Sequence, residues 1–388
     1  MIDLPAPTPV APHPLAQASA SAIIHHENDS QLVQFYHATL GSPAISTFIE
    51  ATARGYLDCL PQLTVKKIRR NKPHVVATSL GHLDQTCKNY QSTKTITAVV
   101  TPLSSDGVPT TTLLAPTADD TCFPMTVPNP THTVFTKIEP THQNFMDSTG
   151  RFPVTSRAGN EYILIMYNYD ANYIHCEPMK RGTGRLLDAY QRGHSFFTAH
   201  GFQPRFERLD NETSKDLEAF MASQNVRFQY VPPGAHRRNA AERAIRTFKN
   251  HFIATLFTVD KSFPLQLWDL ILPQTELTLN LLRGSRLDSR ISAWEQVRGK
   301  FDFAAHPLAP LGMRIVMHEK PENRAAWAPH GVEGFYLGPA LQHYRCYRGW
   351  VLKTQRERVT DTVAWHPETV TMPGASETEL LILSLIHI

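Results

Sequence analysis

The 388-residue chain is 41% hydrophobic with a formal net charge of +3. That is enough apolar material for a core and too little excess charge for a uniformly basic coat, so any polyanion site must be local. Five cysteines (Cys59, Cys87, Cys122, Cys176 and Cys346) form no Cys-x-x-Cys pair, which argues for a reducing compartment and against a disulfide framework. The first residues lack a basic head and an apolar run, and no stretch reaches the roughly 18 apolar residues that span a bilayer, so neither a signal peptide nor a membrane partner is expected.

Taken in chain order, residues 1–28 are proline-rich and read as an extended linker. Residues 29–95 read as a small helical module. Leu32, Phe35, Tyr36, Leu40, Ile45, Phe48 and Ile49 recur at helical spacing, with a break at Gly41 and Pro43. A basic run, Lys66, Lys67, Arg69, Arg70 and Lys72, follows. It reads as a solvated helix face, a DNA contact or an import signal. Residues 96–138, rich in Thr and Pro, read as a second linker. From 139 the texture changes. Gln143-Asn-Phe-Met-Asp147 is short and extended, and the apolar run 161–169 and the segment 172–178 read as strands joined by a turn at Asp170-Ala171. A helix is expected over 185–200, stopped by Gly201. Then come a strand over 205–209, a helix over 214–223, a strand over 226–231 and a helix from about 240. This order predicts an α/β core over 139–300, a mixed sheet flanked by helices. Residues 301–370 turn β-rich, with strands over 313–318, 332–337, 344–352 and 358–365 at intervals typical of a small barrel. Residues 371–388 form a tail whose apolar end fits nothing before it and suggests a truncated or frame-shifted terminus.

Three carboxylates stand in suggestive places. Asp147 ends the first strand, Asp210 directly follows the strand 205–209, and Glu242 begins a basic helix. Hard divalent cations take oxygen ligands, and a few carboxylates on converging elements can hold two such ions for phosphodiester chemistry. Arg246 and Lys249 follow Glu242 at i+4 and i+7, Arg243 lies beside it, and Arg237 and Arg238 occupy the preceding loop. Cations around a metal site suit a phosphate backbone. The plain alternative for the helix alone is a solvated face with an i,i+4 Glu–Arg pair. Asp170 competes with Asp147 as the first aspartate, but it sits at a hairpin turn, where Asp is ordinary turn chemistry. Glu212 reads as a surface carboxylate near the Asp210 position.

The segments Asp147-Ser-Thr-Gly-Arg-Phe-Pro153, Gly159-Asn-Glu-Tyr-Ile-Leu164, Arg208-Leu-Asp-Asn-Glu212 and His236-Arg-Arg-Asn-Ala-Ala-Glu-Arg243 together resemble a retroviral-type integrase core, most nearly that of copia-like retrotransposon polyproteins. Downstream, Phe263-Pro-Leu-Gln-Leu-Trp268, Leu277-Thr-Leu-Asn-Leu-Leu282, Val332-Glu-Gly-Phe-Tyr-Leu-Gly338 and Tyr344-Arg-Cys-Tyr347 extend the likeness to about residues 140–366. The resemblance implies an RNase H-like fold with a D,D,E triad of Asp147, Asp210 and Glu242 holding two Mg2+ or Mn2+ ions. It implies donor-end cleavage and strand transfer into target DNA, with Arg246 and Lys249 at donor-contacting positions. DNA and further copies of the chain are the implied partners, and the nucleus is the implied location, with particle assembly in the cytoplasm. Two departures stand out: the Asp210–Glu242 interval is shorter than the family's usual one, and Asn239 replaces a common glycine. They keep open a catalytically inactive, nucleic-acid-binding remnant, beside a simple nuclease on the same fold. Asp147-Ser-Thr-Gly150 also invites an aspartic-protease reading, but its glycine falls one residue late. In the family a His-His-Cys-Cys zinc module often precedes the core. Here His37, His82, Cys59 and Cys87 are at unsuitable spacing and Ser42 stands where the second His belongs, so no zinc site is assigned.

Overall fold

Apolar strands buried on both faces build the central sheet. In this computed structural model, residues 28–83, 141–209, 214–230, 240–368 and 370–372 are described. Strand β1 (Gln143–Ser148) pairs antiparallel with β2 (Tyr162–Asn168), placing Asp147 opposite Ile165, and β2 pairs antiparallel with β3 (Tyr173–Met179). On its other side β1 runs parallel to β4 (Phe206–Leu209), with Phe145 opposite Arg208, and β4 runs parallel to β5 (Arg227–Tyr230). The order is β3-β2-β1-β4-β5. Strand β2, Tyr-Ile-Leu-Ile-Met-Tyr-Asn, is buried on both faces, as a near-continuous apolar run requires.

Helices cover both faces. Odd-numbered residues of β1 and β2 (Phe145, Ile163, Ile165, Tyr167) pack with one helix further along the chain, and even-numbered ones (Met146, Leu164, Met166) pack with Tyr190 and Phe197 of another. In chain order the helices are α1 (Asp29–Thr39), α2 (Ile45–Ala53), α3 (Val65–Arg70), α4 (Val76–His82), α5 (Thr183–Ala199), α6 (Lys215–Ser223), α7 (Ala240–Leu256), α8 (Leu272–Leu281) and α9 (Ala293–Arg298). Helix α7 is the one on the odd-numbered face. The result is the expected RNase H-like mixed sheet flanked by helices. The N-terminal helices join the same body: Leu32, Tyr36 and Phe48 share a core with Leu281, Trp294 and Phe303. Helix α4 crosses α7 at Gly81, where a Cβ would lie 2.5 Å from the Asn250 carbonyl oxygen and 2.7 Å from the Ala254 nitrogen. Only glycine permits that approach.

The β-rich region corrects the sequence reading in one respect. The run 358–365, expected as one strand, is two. Strands β6 (Arg314–His318), β7 (Gly331–Pro339), β8 (Tyr347–Val351), β9 (Arg356–Thr360) and β10 (Val363–His366) form an antiparallel sheet ordered β10-β6-β7-β8-β9. The chain turns at Asp361, where the Thr360 hydroxyl donates to the Thr362 carbonyl at 3.1 Å, and it crosses from one edge of the sheet to the other. The sheet is open but strongly curled. The Trp365 ring on β10 lies 5.3 Å from both Tyr336 on β7 and Tyr347 on β8, although β6 sits between β10 and β7.

A buried charge cluster ties the edge strand β3 to α8 and α5. Glu276 of α8 accepts from the Tyr173 hydroxyl at 2.7 Å, His175 Nδ1 at 3.0 Å and the Cys176 backbone nitrogen at 3.0 Å. The other His175 nitrogen meets Glu177 at 3.0 Å, and Glu177 also accepts from Arg192 Nε at 2.7 Å. The imidazole stacks on Phe196, centroids 4.2 Å apart. Burial opposes a charge on His175, but Glu276 and Glu177 outweigh it and lift its pKa to about 9. Burial likewise opposes charge on Glu276, and His175 with the donors around it brings that carboxyl below its ordinary value. Removing one partner of such a buried pair strands the other. Glu276→Ala is therefore expected to lower the unfolding free energy by about 3–5 kcal/mol, read from urea melts at pH 6.5. Because the folded-state pKa of His175 is raised, its contribution is full below about pH 6.5 and is lost as pH rises through about 9. The same melts across pH 6 to 10 should show that slope in the native chain and lose it in His175→Gln.

Candidate metal and nucleic-acid site

Helix α7 is amphipathic, and its buried residues Ala241, Ala244, Ile245 and Phe248 pack in one cluster with Phe145 of β1 and Ile165 of β2. Asp147 lies two residues beyond Phe145 on the central strand, so it shares the face that α7 covers. It is half-buried. Just beyond it Thr149 ties the strand end to β2: its backbone nitrogen donates to the Ile163 carbonyl at 2.8 Å, and its hydroxyl accepts from the Ile163 nitrogen at 3.1 Å. Glu242, also half-buried, stands in the first turn of α7. The fold thus sets two of the predicted carboxylates on a strand and a helix that pack against each other.

The third, Asp210, lies outside the described residues, as do Glu212, Arg237, Arg238 and Asn239. Strand β4 is described as far as Leu209, which is buried against Leu217 and Met221 on the far side of the sheet. Arg208 faces the α7 side, its guanidinium 5.3 Å from the Phe145 ring centroid. Among the described residues, no three His, Cys, Asp or Glu side chains gather as a metal site.

Arg243, Arg246 and Lys249 are all exposed on α7, but they serve different neighbourhoods. Lys249 borders an apolar pocket of about 460 Å³ between α7 and the loop after β1, lined by Phe152, Phe248, Phe252 and Phe257 among others, with Arg151 on its wall. Arg246 borders a pocket shared with α2 and α8, and Arg243 borders one shared with the β2–β3 turn. In both of these pockets the additional cation Arg283 appears, and Arg286 joins Arg243. Neither was legible in the sequence. They follow α8 with no periodicity or motif, and only the packing of α8 beside α7 brings them to this surface.

Asp170, the competing aspartate, is buried and fully engaged. Its Oδ1 accepts from the Thr141 backbone nitrogen at 2.9 Å and hydroxyl at 2.7 Å, and its Oδ2 accepts from the His142 nitrogen at 2.8 Å. It anchors the entry to β1 rather than its own turn. In the N-terminal module, His37 is buried against Phe48 with Nε2 2.9 Å from the Pro43 carbonyl oxygen, so it bonds across the Gly41–Pro43 turn. Burial holds its pKa down at about 4. Burial pushes the Cys59 thiol up to about 12, the wrong direction for a thiolate ligand. Cys87 lies outside the described residues.

No protein-family model matches the sequence, and no curated protein matches it. Among solved structures the chain is similar to retroviral integrases. The catalytic core domain of BIV integrase shares 15% identity at a TM-score of 0.31, over 40% of this chain and 93% of that one. The HTLV-2 integrase catalytic core domain, solved in complex with magnesium in a dimeric form, shares 16% at 0.30, over 41% and 96%. A simian T-cell lymphotropic virus intasome, solved with a regulatory subunit of PP2A, shares 12% at 0.30, over 60% and 83%. The architecture described above rests on strand order and register, independently of these likenesses.

Asp170→Ala should cost about 2–3 kcal/mol of stability, since it removes a buried carboxylate that accepts three hydrogen bonds from the exposed Thr141 and half-buried His142. Chemical denaturation measures this. A Mn2+ titration of the same variant, followed by water-proton relaxation, should match the native chain.

Proposed function

We propose that the chain is a metal-dependent polynucleotidyl transferase of integrase type, from a copia-like retrotransposon polyprotein. The observation that carries this reading is the placement of Asp147 on the central strand, on the sheet face packed by the helix that bears Glu242. Asp210, the next residue in sequence after β4, the parallel neighbour of β1, would complete the set. The donor chemistry fits a hard divalent cation: carboxylate oxygens, two of the three known to be half-buried. Two Mg2+ or Mn2+ ions, when bound, would supply charge neutralisation at the attacking and leaving oxygens. The chain's own part is positional. Asp147 and Glu242 hold their carboxylates on rigid elements, Lys249 and Arg246 flank the helix face where a phosphate backbone would run, and Arg243 continues that line. Arg237 and Arg238 would extend it through the preceding loop. No side-chain nucleophile is required, because water or a DNA 3′-hydroxyl attacks. Donor and target DNA and a second copy of the chain are the partners in this reading, with action in the nucleus and particle assembly in the cytoplasm.

A second reading, an inactive remnant that binds nucleic acid, is favoured by the short Asp210–Glu242 interval and by Asn239. The test is a donor-duplex assay with Mg2+ or Mn2+, scored for end cleavage and for joining to a target plasmid. Asp147→Asn and Glu242→Gln should each lower both by about a thousandfold, as loss of several kcal/mol of transition-state stabilisation requires, with thermal midpoints unchanged. Cleavage without joining would mark a nuclease. Equal absence of product from the native chain and Asp147→Asn would mark the remnant.

A further inference from the structure

Beyond the carboxylates, α7 meets a cluster of arginines with a built framework. Asn172, in the β2–β3 turn with a left-handed φ of 55°, accepts on Oδ1 from the Tyr167 hydroxyl at 2.7 Å and from Arg283 Nη2 at 2.6 Å. Its carbonyl accepts from Arg283 Nε at 3.1 Å, and its own amide donates to the Gly284 carbonyl at 2.8 Å. Arg283 is thereby fixed in place. Arg286 is pinned too. Its backbone nitrogen donates to the Asp170 carbonyl at 3.2 Å, and its guanidinium carbon lies 3.8 Å from the centroid of the half-exposed Tyr169 ring. Arg243 arrives from α7, and with Thr247 these side chains line a pocket of about 160 Å³. Through Arg283 it neighbours a second pocket of about 290 Å³, bordered by Arg246 and Asn250. Among the described residues, no carboxylate lines either one.

Guanidinium groups held together with no carboxylate partner among the described residues repel one another. Burial lowers the pKa of Arg283, Tyr167 opposes that, and the proximity of Arg286 adds to it. An entering oxyanion would relieve the repulsion and meet in-plane donors already oriented by stacking and hydrogen bonds. The smaller pocket falls below the roughly 300–1,000 Å³ of small-molecule sites, so it suits a single anionic group. We infer that the Arg243–Arg283–Arg286 pocket is a phosphate subsite that takes the oxyanion of one phosphodiester in a DNA strand passing along Arg246. The source of that phosphate rests on the functional reading above; the anion chemistry does not.

The test uses the full chain in EDTA, so that no metal-dependent reaction intervenes. One arm measures anisotropy of a labelled DNA duplex over 50–200 mM salt. The other measures the thermal midpoint with inorganic phosphate against chloride at matched ionic strength. Arg286→Ala should weaken duplex binding roughly tenfold at low salt and reduce the salt slope by about 1, and it should abolish the stabilisation by phosphate. Arg286→Lys should recover part of both. Arg185→Ala, which removes an exposed charge paired with Asp188 outside the pocket, should match the native chain. If Arg286→Ala equals the native chain in both arms, the subsite is refuted, whatever the cleavage assay shows. If phosphate stabilisation depends on Arg286 but duplex affinity does not, the anion site stands and DNA is overturned as its source. Arg286-dependent phosphate binding beside a native chain that neither cuts nor joins DNA would uphold the pocket and remove the integrase reading.

Discussion

Helix α7 cannot rotate, and most of what this molecule presents to a partner follows from that. Its buried residues, Ala241, Ala244, Ile245, Phe248, His251, Phe252, Ala254 and Thr255, span well over the stripe that a surface helix normally hides. Three neighbours account for them. The sheet takes Phe248 against Phe145 and Ile165. Helix α4 presses its Gly81 onto Ala254. Helix α8 engages His251 through a 3.0 Å contact between Nε2 and the Thr278 hydroxyl, and burial there holds the imidazole neutral, with a pKa of about 3. Each buried phenylalanine contributes roughly 1.5–3 kcal/mol, so a turn of the helix about its axis would forfeit several such terms together. What is left for solvent is a narrow ridge, and Arg243, Arg246 and Lys249 all stand on it. The N-terminal helices are therefore part of the site's scaffold, because α4 helps fix the orientation of the helix that carries Glu242.

Much of this was legible in the residues. The apolar runs through 143–179, the break at Gly41 and Pro43, and the amphipathic pattern beginning at Ala241 all specify local structure, and local structure is what such patterning reports. The Asp147 position could be read because an acidic residue closing a short apolar strand is itself a local signal. What escaped depends on contacts across long sequence separations. Glu276 sits in a helix where it looks like an ordinary surface carboxylate, and only the pairing of α8 with β3 turns it into the acceptor for Tyr173, His175 and Cys176. Asp170 reads as ordinary turn chemistry, but its task is holding Thr141 and His142, residues that precede β1 and carry no mark of it. The splitting of 358–365 was hidden for a different reason. Arg358 to Trp365 is a plausible single strand by composition, and the corner at Asp361 exists because the curled sheet offers pairing partners at two opposite edges.

The central sheet also shows how environment, rather than residue type, sets a carboxyl group's state. Glu276 is buried and charged, because an imidazolium and three donors surround it. Glu207, on β4, is also buried, on the same α5-packed face as Tyr173 and His175 and across from Asn144 in the parallel register. Among the described residues, its one neighbour in hydrogen-bond range is the Tyr190 hydroxyl at 3.5 Å. Asn144 is occupied on Oδ1 by Asn168 at 2.8 Å, while its amide nitrogen and Glu207 Oε1 have no hydrogen-bond partner among the described residues. Burial therefore pushes the Glu207 pKa well above its ordinary value, with the Tyr190 hydroxyl opposing it. Its linkage is that of a carboxyl with a raised pKa: the folded state holds the proton more tightly, so this residue favours folding less as pH rises above the ordinary glutamate value. His37 and His251 act in the other direction, since their depressed pKa values make the fold lose stability as pH falls from about 6.5 toward 4 and 3. His175 adds its loss above neutrality. These opposing slopes leave the intact core best supported near neutral pH, where His175 and Glu276 are charged, the buried imidazoles of His37 and His251 are neutral, and the sheet that carries Asp147 is held from both sides.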